Sequence, residues 1–369
     1  MKKMLSVSTL LVLLGFSAAI GQGKFSGYMF GDYYYNFARD SKITSLSNVA
    51  SPAGTTAYQA FQLRRIYFAY DNDISEQFTT RFRLEADQTA SNGVPTSGDM
   101  LVGSSTSAGK VSVFVKDAYL MWKNVFTGSN LIFGVQPTPA YDVSEAAWGY
   151  RSLEKTIMDL RGIVPSRDLG IALKGKVTDD GMINYWAMFA NGSGNSVETD
   201  KYKRYYAHIQ CKPMANLQAT LYFDYKDAAN NAAGNSTSTT TTALFVGYNE
   251  PFMYNVGVEG FMTSQANSFT PVGGSLGSKN GLGVSVFGSY NIIPELAAVV
   301  RFDTWDPNTN SASNAQGDVR NLVIAGVSWK VDKNVSIMPN IYYESYESTK
   351  ASSPSASVTG RVTFYYVFL

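Results

Sequence analysis

Apolar and polar residues alternate with a period of two through most of this chain. In 217–226 apolar side chains occupy every second position, with Gln218 and Asp224 among the residues between them, and the same period recurs in 78–87 and 296–303. Such alternation is the signature of β-strands whose two faces meet different surroundings. The pattern predicts sixteen strands, over 24–38, 57–72, 76–89, 110–125, 129–136, 167–178, 181–192, 202–212, 215–227, 240–249, 253–264, 280–291, 294–305, 319–331, 334–346 and 357–369.

The predicted strands are joined by connections of two kinds. Even-numbered strands are followed by short turns, such as Asp179-Asp180 or Pro213-Met214, and odd-numbered strands by long polar segments, such as 39–56 and 90–109. Antiparallel pairing places the two kinds at opposite rims, which is the arrangement of outer-membrane β-barrels. The fold class predicted is therefore all-β, a sixteen-stranded antiparallel transmembrane β-barrel. Such a barrel closes because an open edge in hydrocarbon leaves backbone groups unsatisfied.

The third long connection, 137–166, differs from the others. Within it Ser152–Leu160 has the pattern of a short helix, because Leu153, Ile157 and Leu160 would share one face. A helix this short is marginal alone and has to dock its apolar face on another surface. The inner wall of the barrel is the available surface, so 137–166 is predicted to fold into the bore as a constriction loop.

Two predicted strands resist assignment to inward and outward faces. Arg64 and Arg65 are adjacent in 57–72, and Lys116 is adjacent to Asp117 in 110–125. A regular strand would send one residue of each pair into lipid. A β-bulge would resolve the conflict, because it adds one residue to a strand without reversing the faces beyond it.

The N-terminus has the pattern of a signal peptide over 1–21. Lys2 and Lys3 precede an apolar run, and small residues precede a predicted cleavage before Gln22. Residues 22–369 are then predicted to form a single barrel domain. Charged residues make up 16% of the chain, against roughly 25% in average soluble domains, and this suits a lipid-facing barrel as well as a large soluble sandwich. The net charge of +1 argues against a nucleic-acid partner.

Enzymatic and metal chemistry find little support in the sequence. The chain has one cysteine, Cys211, and one histidine, His208, so it has no internal disulfide and no Cys/His zinc cluster. No phosphate-binding glycine loop is present. No serine on the strand of His208 or the strand before it forms an obvious nucleophile–base pair. We therefore predict no enzyme and no cofactor.

Several motifs resemble the phosphate-selective porin (porin O and P) family. They are Gly134-x-Gln136-x-x-Pro139, Arg151–Lys155 (RSLEK), Arg167–Gly170 (RDLG), Leu63-Arg64-Arg65 and Asp117–Leu120 (DAYL). The resemblance implies a trimeric sixteen-stranded channel in the outer membrane of a Gram-negative bacterium, with the third external loop as its constriction. Phosphate-specific members carry a dense run of basic residues in the pore, and this chain has no such run.

The expected partners follow from that resemblance and from the last strand. Residues 357–369 end in alternating aromatic residues, which resembles the strand that the barrel-assembly machinery recognises, although Leu369 replaces the terminal phenylalanine. The partners expected are outer-membrane lipid, small hydrophilic solutes or anions, two further copies in a homotrimer, and the barrel-assembly machinery.

Charged residues of both signs are the candidates for controlling passage. They could form an eyelet with a transverse field or tie the loop to the wall, and an excess of basic residues in the first half suggests a slight anion preference. Two alternatives are a sugar-specific channel, with Tyr141, Trp148 or Tyr150 stacking on the solute, and a non-transport adhesin or structural anchor. The constriction candidates are Arg151, Glu154, Lys155, Asp159, Arg161 and Arg167, and the pore-lining candidates are Arg81, Arg83, Glu85, Asp87, Lys174, Lys176, Arg301 and Asp303.

Overall fold

Sixteen strands follow one another along the chain, each pairing antiparallel with the next, and the last pairs with the first to close a barrel. The computed structural model describes residues 23–40, 42–43, 54–87, 111–347 and 354–369. The predicted signal peptide lies outside this part of the chain. The strands are β1 (Lys24–Ala38), β2 (Gln59–Asp73), β3 (Phe78–Asp87), β4 (Ser112–Phe126), β5 (Ser129–Pro137), β6 (Arg167–Lys176), β7 (Ile183–Ala190), β8 (Arg204–Met214), β9 (Leu217–Ala228), β10 (Thr237–Glu250), β11 (Tyr254–Phe269), β12 (Gly277–Ile293), β13 (Leu296–Asp306), β14 (Arg320–Asp332), β15 (Val335–Tyr346) and β16 (Ser357–Val367).

The alternation along each strand sorts side chains between the outside and the inside of the barrel. On β13, Val300 is 55% exposed whereas its neighbour Arg301 is 1% exposed, and on β9 Leu221 is 54% exposed whereas Asp224 is fully buried. Apolar side chains thus cover the outer wall and polar ones point inward, as a barrel in lipid requires. The prediction of a sixteen-stranded antiparallel barrel is confirmed.

The two kinds of connection lie at opposite rims. One rim, here called the short-turn end, has turns as tight as 215–216, 294–295 and 333–334. The other, the long-loop end, carries 39–58, 191–203 and the remaining long connections. The predicted turn at Pro213-Met214 lies two residues too early, because β8 continues through Met214, which pairs with Leu217.

Both predicted β-bulges are present. Two consecutive residues of β1 pair with Arg65 and then with Leu63 of β2, so Arg64 is the extra residue of the bulge. The pairing of β3 with β4 steps from Asp117 to Val115 in the same way, which leaves Lys116 as the extra residue. Each bulge lets two adjacent charged side chains point into the barrel while the rest of the strand keeps its faces.

The third long connection enters the bore, as predicted, but its helices differ from the prediction. It carries α1 (Asp142–Trp148) and α2 (Ile157–Leu160). The predicted helix over Ser152–Leu160 is wrong in its first half. There the carbonyl of Leu153 accepts a hydrogen bond from Arg64 and one from the Tyr342 hydroxyl at 2.5 Å, so it forms no helical bond. Among the described residues no helix has the length and apolar character to cross a membrane.

Gly134 on β5 gives a test of how tightly the wall is built. Its φ is 130°, and a Cβ there would lie 2.2 Å from the Ala118 carbonyl oxygen. We expect Gly134→Ala to lower the free energy of unfolding by about 1–3 kcal/mol, since both strain and overlap oppose it. The measurement is unfolding by urea in micelles, with the folded fraction read from the heat-modifiable mobility of the barrel in gels. Gly260→Ala on β11 is the matched control, because a Cβ there has no neighbour within 4 Å. Equal stability of the two variants would contradict the prediction.

Candidate functional site

The two ends of the constriction loop are joined by hydrogen bonds to backbone carbonyls of the loop itself. The Thr138 N–H donates to the Ser166 carbonyl at 3.3 Å, and the Thr138 hydroxyl donates to the Pro165 carbonyl at 2.7 Å. The Tyr141 hydroxyl donates to the Val164 carbonyl at 3.3 Å. These bonds hold the two ends of the loop together where it leaves β5 and enters β6, so the segment between them projects into the bore as one unit.

The first helix of the loop, α1, lies against β10, β11 and β12. The Ser144 hydroxyl donates to Glu259 Oε1 at 3.1 Å, and the Asn255 side-chain amide donates to the Ala147 carbonyl. Trp148 is 1% exposed and meets the Phe287 ring edge-on, with centroids 5.2 Å apart. Polar anchors and an aromatic contact together fix α1 to this wall.

The middle of the loop is bound through its backbone carbonyls. Arg64 donates to the Ser152 carbonyl at 2.9 Å, the Trp148 indole donates to the Glu154 carbonyl at 2.8 Å, and Arg301 donates to the Lys155 carbonyl. Carbonyls that a helix would have used are satisfied by side chains of the wall and of α1. This accounts for the non-helical path of the segment between α1 and α2, which includes a turn at 151–153.

The second helix, α2, anchors the far end of the loop. Ile157 and Met158 have no exposed surface, and Leu160 packs with Leu322 and Ile324. Next to it, Arg161 Nη1 lies 2.8 Å from Glu344 Oε1, and both side chains are fully buried. The loop is thus attached to β10–β15 and to Arg64 on β2. Its charged face is turned toward β2–β6, since Arg151 interacts electrostatically with Glu85 on β3 and Asp159 with Lys116 on β4.

The face of the loop turned toward β2–β6 carries charges of both signs. Arg151 lies 3.1 Å from Glu145 and 3.3 Å from Asp159, and Lys155 lies 3.7 Å from Asp159. Asp159 is part of the loop and not of a membrane-spanning strand. Burial acts to raise its pKa, but Lys155 and Arg151 outweigh burial and lower the pKa to about 2. Asp159 therefore stays ionised at neutral pH.

The facing wall carries a second set of ion pairs, built around the bulge at Lys116. Glu85 lies 2.6 Å from Arg65 and 2.9 Å from Lys116. On the same strands, Asp117 lies 2.7 Å from Arg83, and Arg167 donates to its other oxygen. Each of the two carboxylates, Glu85 and Asp117, thus pairs with two basic side chains.

In these pairs the base is generally more exposed than the acid. The side chains of Arg83 and Asp117 are 15% and 0% exposed, and those of Lys155 and Asp159 are 31% and 10% exposed. Arg65 and Glu85 follow the same order, while Arg151 and Glu145 reverse it. Basic groups therefore form most of the solvent-exposed charged surface between the loop and β2–β6, a region here called the opening.

The sequence-predicted constriction residues fall into two groups. Arg151, Lys155, Asp159 and Arg167 are partly exposed at the opening, where Lys155 and Asp159 form an ion pair. The predicted residues Glu154 and Arg161 are covered instead. Glu154 is 5% exposed and lies 3.3 Å from Arg64, so both act as anchors of the loop.

The predicted pore-lining residues divide in a similar way. Arg83 lies at the opening, and Glu85 is buried behind its basic partners. Lys174 lies 3.8 Å from the Trp186 ring centre and 3.6 Å from Asp142 of the loop. Arg301 and Asp303 point inward but are buried under the loop, which Arg301 holds. Two candidates lie outside the constriction: Arg81 pairs with Asp71 at 2.6 Å near the short-turn end, and Lys176 ends β6 at that rim. The side chain of Asp87 is outside the described part of the structure.

Sequence reasoning did not assign Arg65, Lys116 and Asp117 to the constriction. The signal for all three was present, since they break the alternation as members of adjacent charged pairs. A bulge in a barrel strand is a place where the chain directs an additional charge into the lumen.

The single histidine lies in the barrel wall, and the serine near it is hydrogen-bonded to another residue. His208 is buried on β8 near Ser144, but the Ser144 hydroxyl donates to Glu259 and not to the imidazole. Within the described residues, no three His, Cys, Asp or Glu side chains gather as potential metal ligands.

Comparison with solved structures identifies the fold as that of outer-membrane porins. The anion-selective porin of Comamonas acidovorans matches with a TM-score of 0.61 and 11% identity over 94% of this chain and 100% of that one. The outer-membrane channel DcaP of Acinetobacter baumannii matches with a TM-score of 0.65 and 12% identity over 94% and 97%. OmpT of Vibrio cholerae, in a trimer form, matches with a TM-score of 0.59 and 13% identity over 94% of this chain and 99% of that one. No protein-family model matches the chain, and no curated protein is significantly similar to it. The resemblance is thus confirmed at the level of the porin fold, and membership in the phosphate-selective family is not confirmed.

Proposed function

We propose that this protein is an outer-membrane channel through which small hydrophilic solutes diffuse passively, with a preference for small anions, of which inorganic phosphate is one. One observation carries the preference. At the opening between loop and wall the basic groups are the exposed members of most ion pairs, and their carboxylate partners lie behind them.

The balance of charge at the opening points the same way. Six basic and four acidic side chains are joined by ion pairs there, so the constriction carries an excess of positive charge. Rings of basic side chains favour anions, and a narrow low-dielectric passage strengthens their field. The basic residues are Arg65, Arg83, Lys116, Arg151, Lys155 and Arg167, and the acidic ones are Glu85, Asp117, Glu145 and Asp159.

The cellular setting is part of the proposal. The apolar outer wall suits lipid, and the signal-peptide pattern of 1–21 suits export to the outer membrane of a Gram-negative bacterium. The aromatic C-terminal strand suits insertion by the barrel-assembly machinery. A homotrimer is proposed by analogy with the trimer form of Vibrio cholerae OmpT.

The experiment is conductance of the purified protein in a planar bilayer with a tenfold KCl gradient. We expect stepwise ion-conducting events and a reversal potential of the sign that chloride selectivity gives. Raising both salt concentrations should bring the potential toward zero, because the Debye length falls to about 3 Å at 1 M salt. Absence of conductance would refute the channel, and a cation-selective potential would refute the preference.

A further inference from the structure

A cavity of about 560 Å³ lies at the short-turn end, below the C-terminal end of α1. Its walls come from β9 to β15, and Trp148 and Tyr150 of the loop form its inner boundary. The volume falls within the range of about 300–1,000 Å³ that is usual for small-molecule sites. The charged constriction lies on the opposite wall, at β2–β6, so this cavity is a separate site.

The lining of this cavity is about half polar and half apolar, and it is almost uncharged. The two charged residues, Glu295 and Lys330, have opposite signs and are exposed at the rim, where the Lys330 N–H donates to the Glu295 carbonyl at 2.7 Å. The other polar side chains are amides and hydroxyls. They are Tyr150, Gln218, Tyr248, Asn249, Asn255, Ser289, Asn291, Ser328 and Ser336.

Two of these amides are available to a ligand. The side-chain amide of Asn255 already donates to the Ala147 carbonyl, and the side-chain oxygen of Gln218 accepts a hydrogen bond from Gln210 at 3.0 Å. Within the described part of the chain, the side-chain amides of Asn249 and Asn291 make no hydrogen bond to another residue. Each offers a donor pair and an acceptor to the cavity.

An aromatic ring accompanies the amides. Tyr150 is half-buried, lines the cavity, and is held by an edge-on contact with Trp148, their ring centroids 5.6 Å apart. Trp148 itself is buried and presents little surface to the cavity. An anchored ring beside free amides matches the two faces of a sugar, whose C–H groups pack on aromatic surfaces and whose hydroxyls both donate and accept. An anion would find one cation in the described lining, Lys330, which lies exposed at the rim beside Glu295, and an apolar ligand would bury amides without partners.

We propose that this cavity is a binding site for a neutral polyhydroxylated solute, a mono- or disaccharide, with Asn249 and Asn291 as hydrogen-bonding groups and Tyr150 as the stacking surface. Solutes that leave the constriction would meet this site before the short-turn mouth. The site adds a neutral-sugar affinity to the anion preference proposed for the constriction.

The test is isothermal titration of detergent-solubilised protein with maltose. We expect saturable binding that Asn249→Leu/Asn291→Leu weakens at least about tenfold, because two hydrogen bonds of ordinary strength are lost. Asn249→Ala/Asn291→Ala serves as a second variant, with heat-modifiable mobility as the check on folding. Asn235→Leu, in an exposed long loop, is the matched control and should bind as the wild type does.

Absence of saturable maltose binding would overturn the proposal, as would equal binding by the wild type and both double variants. Binding of glycylglycine without maltose would overturn it too, because that result would assign the site to zwitterions held by Glu295 and Lys330. Titration measures binding without ion flow. A protein that does not conduct in bilayers can therefore still bind maltose, and the failure of one proposal is distinguishable from the failure of the other.

Discussion

Replacing Glu344 by alanine is expected to lower the free energy of unfolding by about 3–5 kcal/mol. The Glu344 carboxylate lies 2.8 Å from Arg161 and both side chains are fully buried, so the substitution leaves a buried guanidinium without this carboxylate. Because Arg161 fixes the far end of the constriction loop to β15, we also expect the loop to loosen. Urea unfolding in micelles measures the first effect, and a larger, noisier single-channel current measures the second.

The control distinguishes the effect of losing the buried ion pair from the effect of losing a carboxylate alone. Glu76→Ala, in the exposed turn between β2 and β3, removes the same group and should change the unfolding free energy by less than about 0.5 kcal/mol. Arg161→Met/Glu344→Met should recover most of the loss, since an apolar pair avoids the desolvation of two charges. A double variant as unstable as Glu344→Ala would mean that the loop is held mainly by other contacts.

The strands could be predicted because one physical requirement acts on every second residue. A barrel wall has lipid on one side, so residues such as Leu221 and Asp224 cannot exchange places without exposing charge to hydrocarbon. Turn positions were less well determined. The chain can move by one or two residues at a rim without changing the faces, as it does at Pro213-Met214.

The helices of the constriction loop were harder to predict because their stability comes from the wall. The apolar stripe of Leu153, Ile157 and Leu160 was correctly identified as buried. Its first half is nevertheless not helical, because Arg64 and Tyr342 take the Leu153 carbonyl. These partners lie far away in sequence, and no local pattern contains them.

The roles of individual charges were also hidden for a reason of geometry. Arg161 and Lys155 lie a few residues apart with similar side chains, yet Arg161 is fully buried in an ion pair and Lys155 faces the opening. Which of them is covered depends on where the loop crosses the bore. The bulges were the exception, since adjacent charges such as Arg64 and Arg65 can be recognised in sequence.

Changing two charges of the loop is expected to reverse the ion preference of the channel. Arg151→Gln/Lys155→Glu changes the constriction from six basic and four acidic groups to four and five. A unit charge about 5 Å from an ion contributes roughly 0.8 kcal/mol in water-like surroundings. A change of three units, partly screened by salt, should lower the anion-to-cation permeability ratio about tenfold. The reversal potential in a KCl gradient should therefore change sign.

Two controls decide whether charge or structure causes the reversal. Arg151→Lys/Lys155→Arg disturbs the same positions and preserves their charge, so it should keep the wild-type sign. Lys201→Glu changes charge at an exposed position of a long loop and should have little effect, because salt screens the field of a solvent-exposed charge. An unchanged potential in Arg151→Gln/Lys155→Glu would place selectivity elsewhere in the barrel. An equal shift in Arg151→Lys/Lys155→Arg would mean that packing of the loop, and not its field, selects the ion.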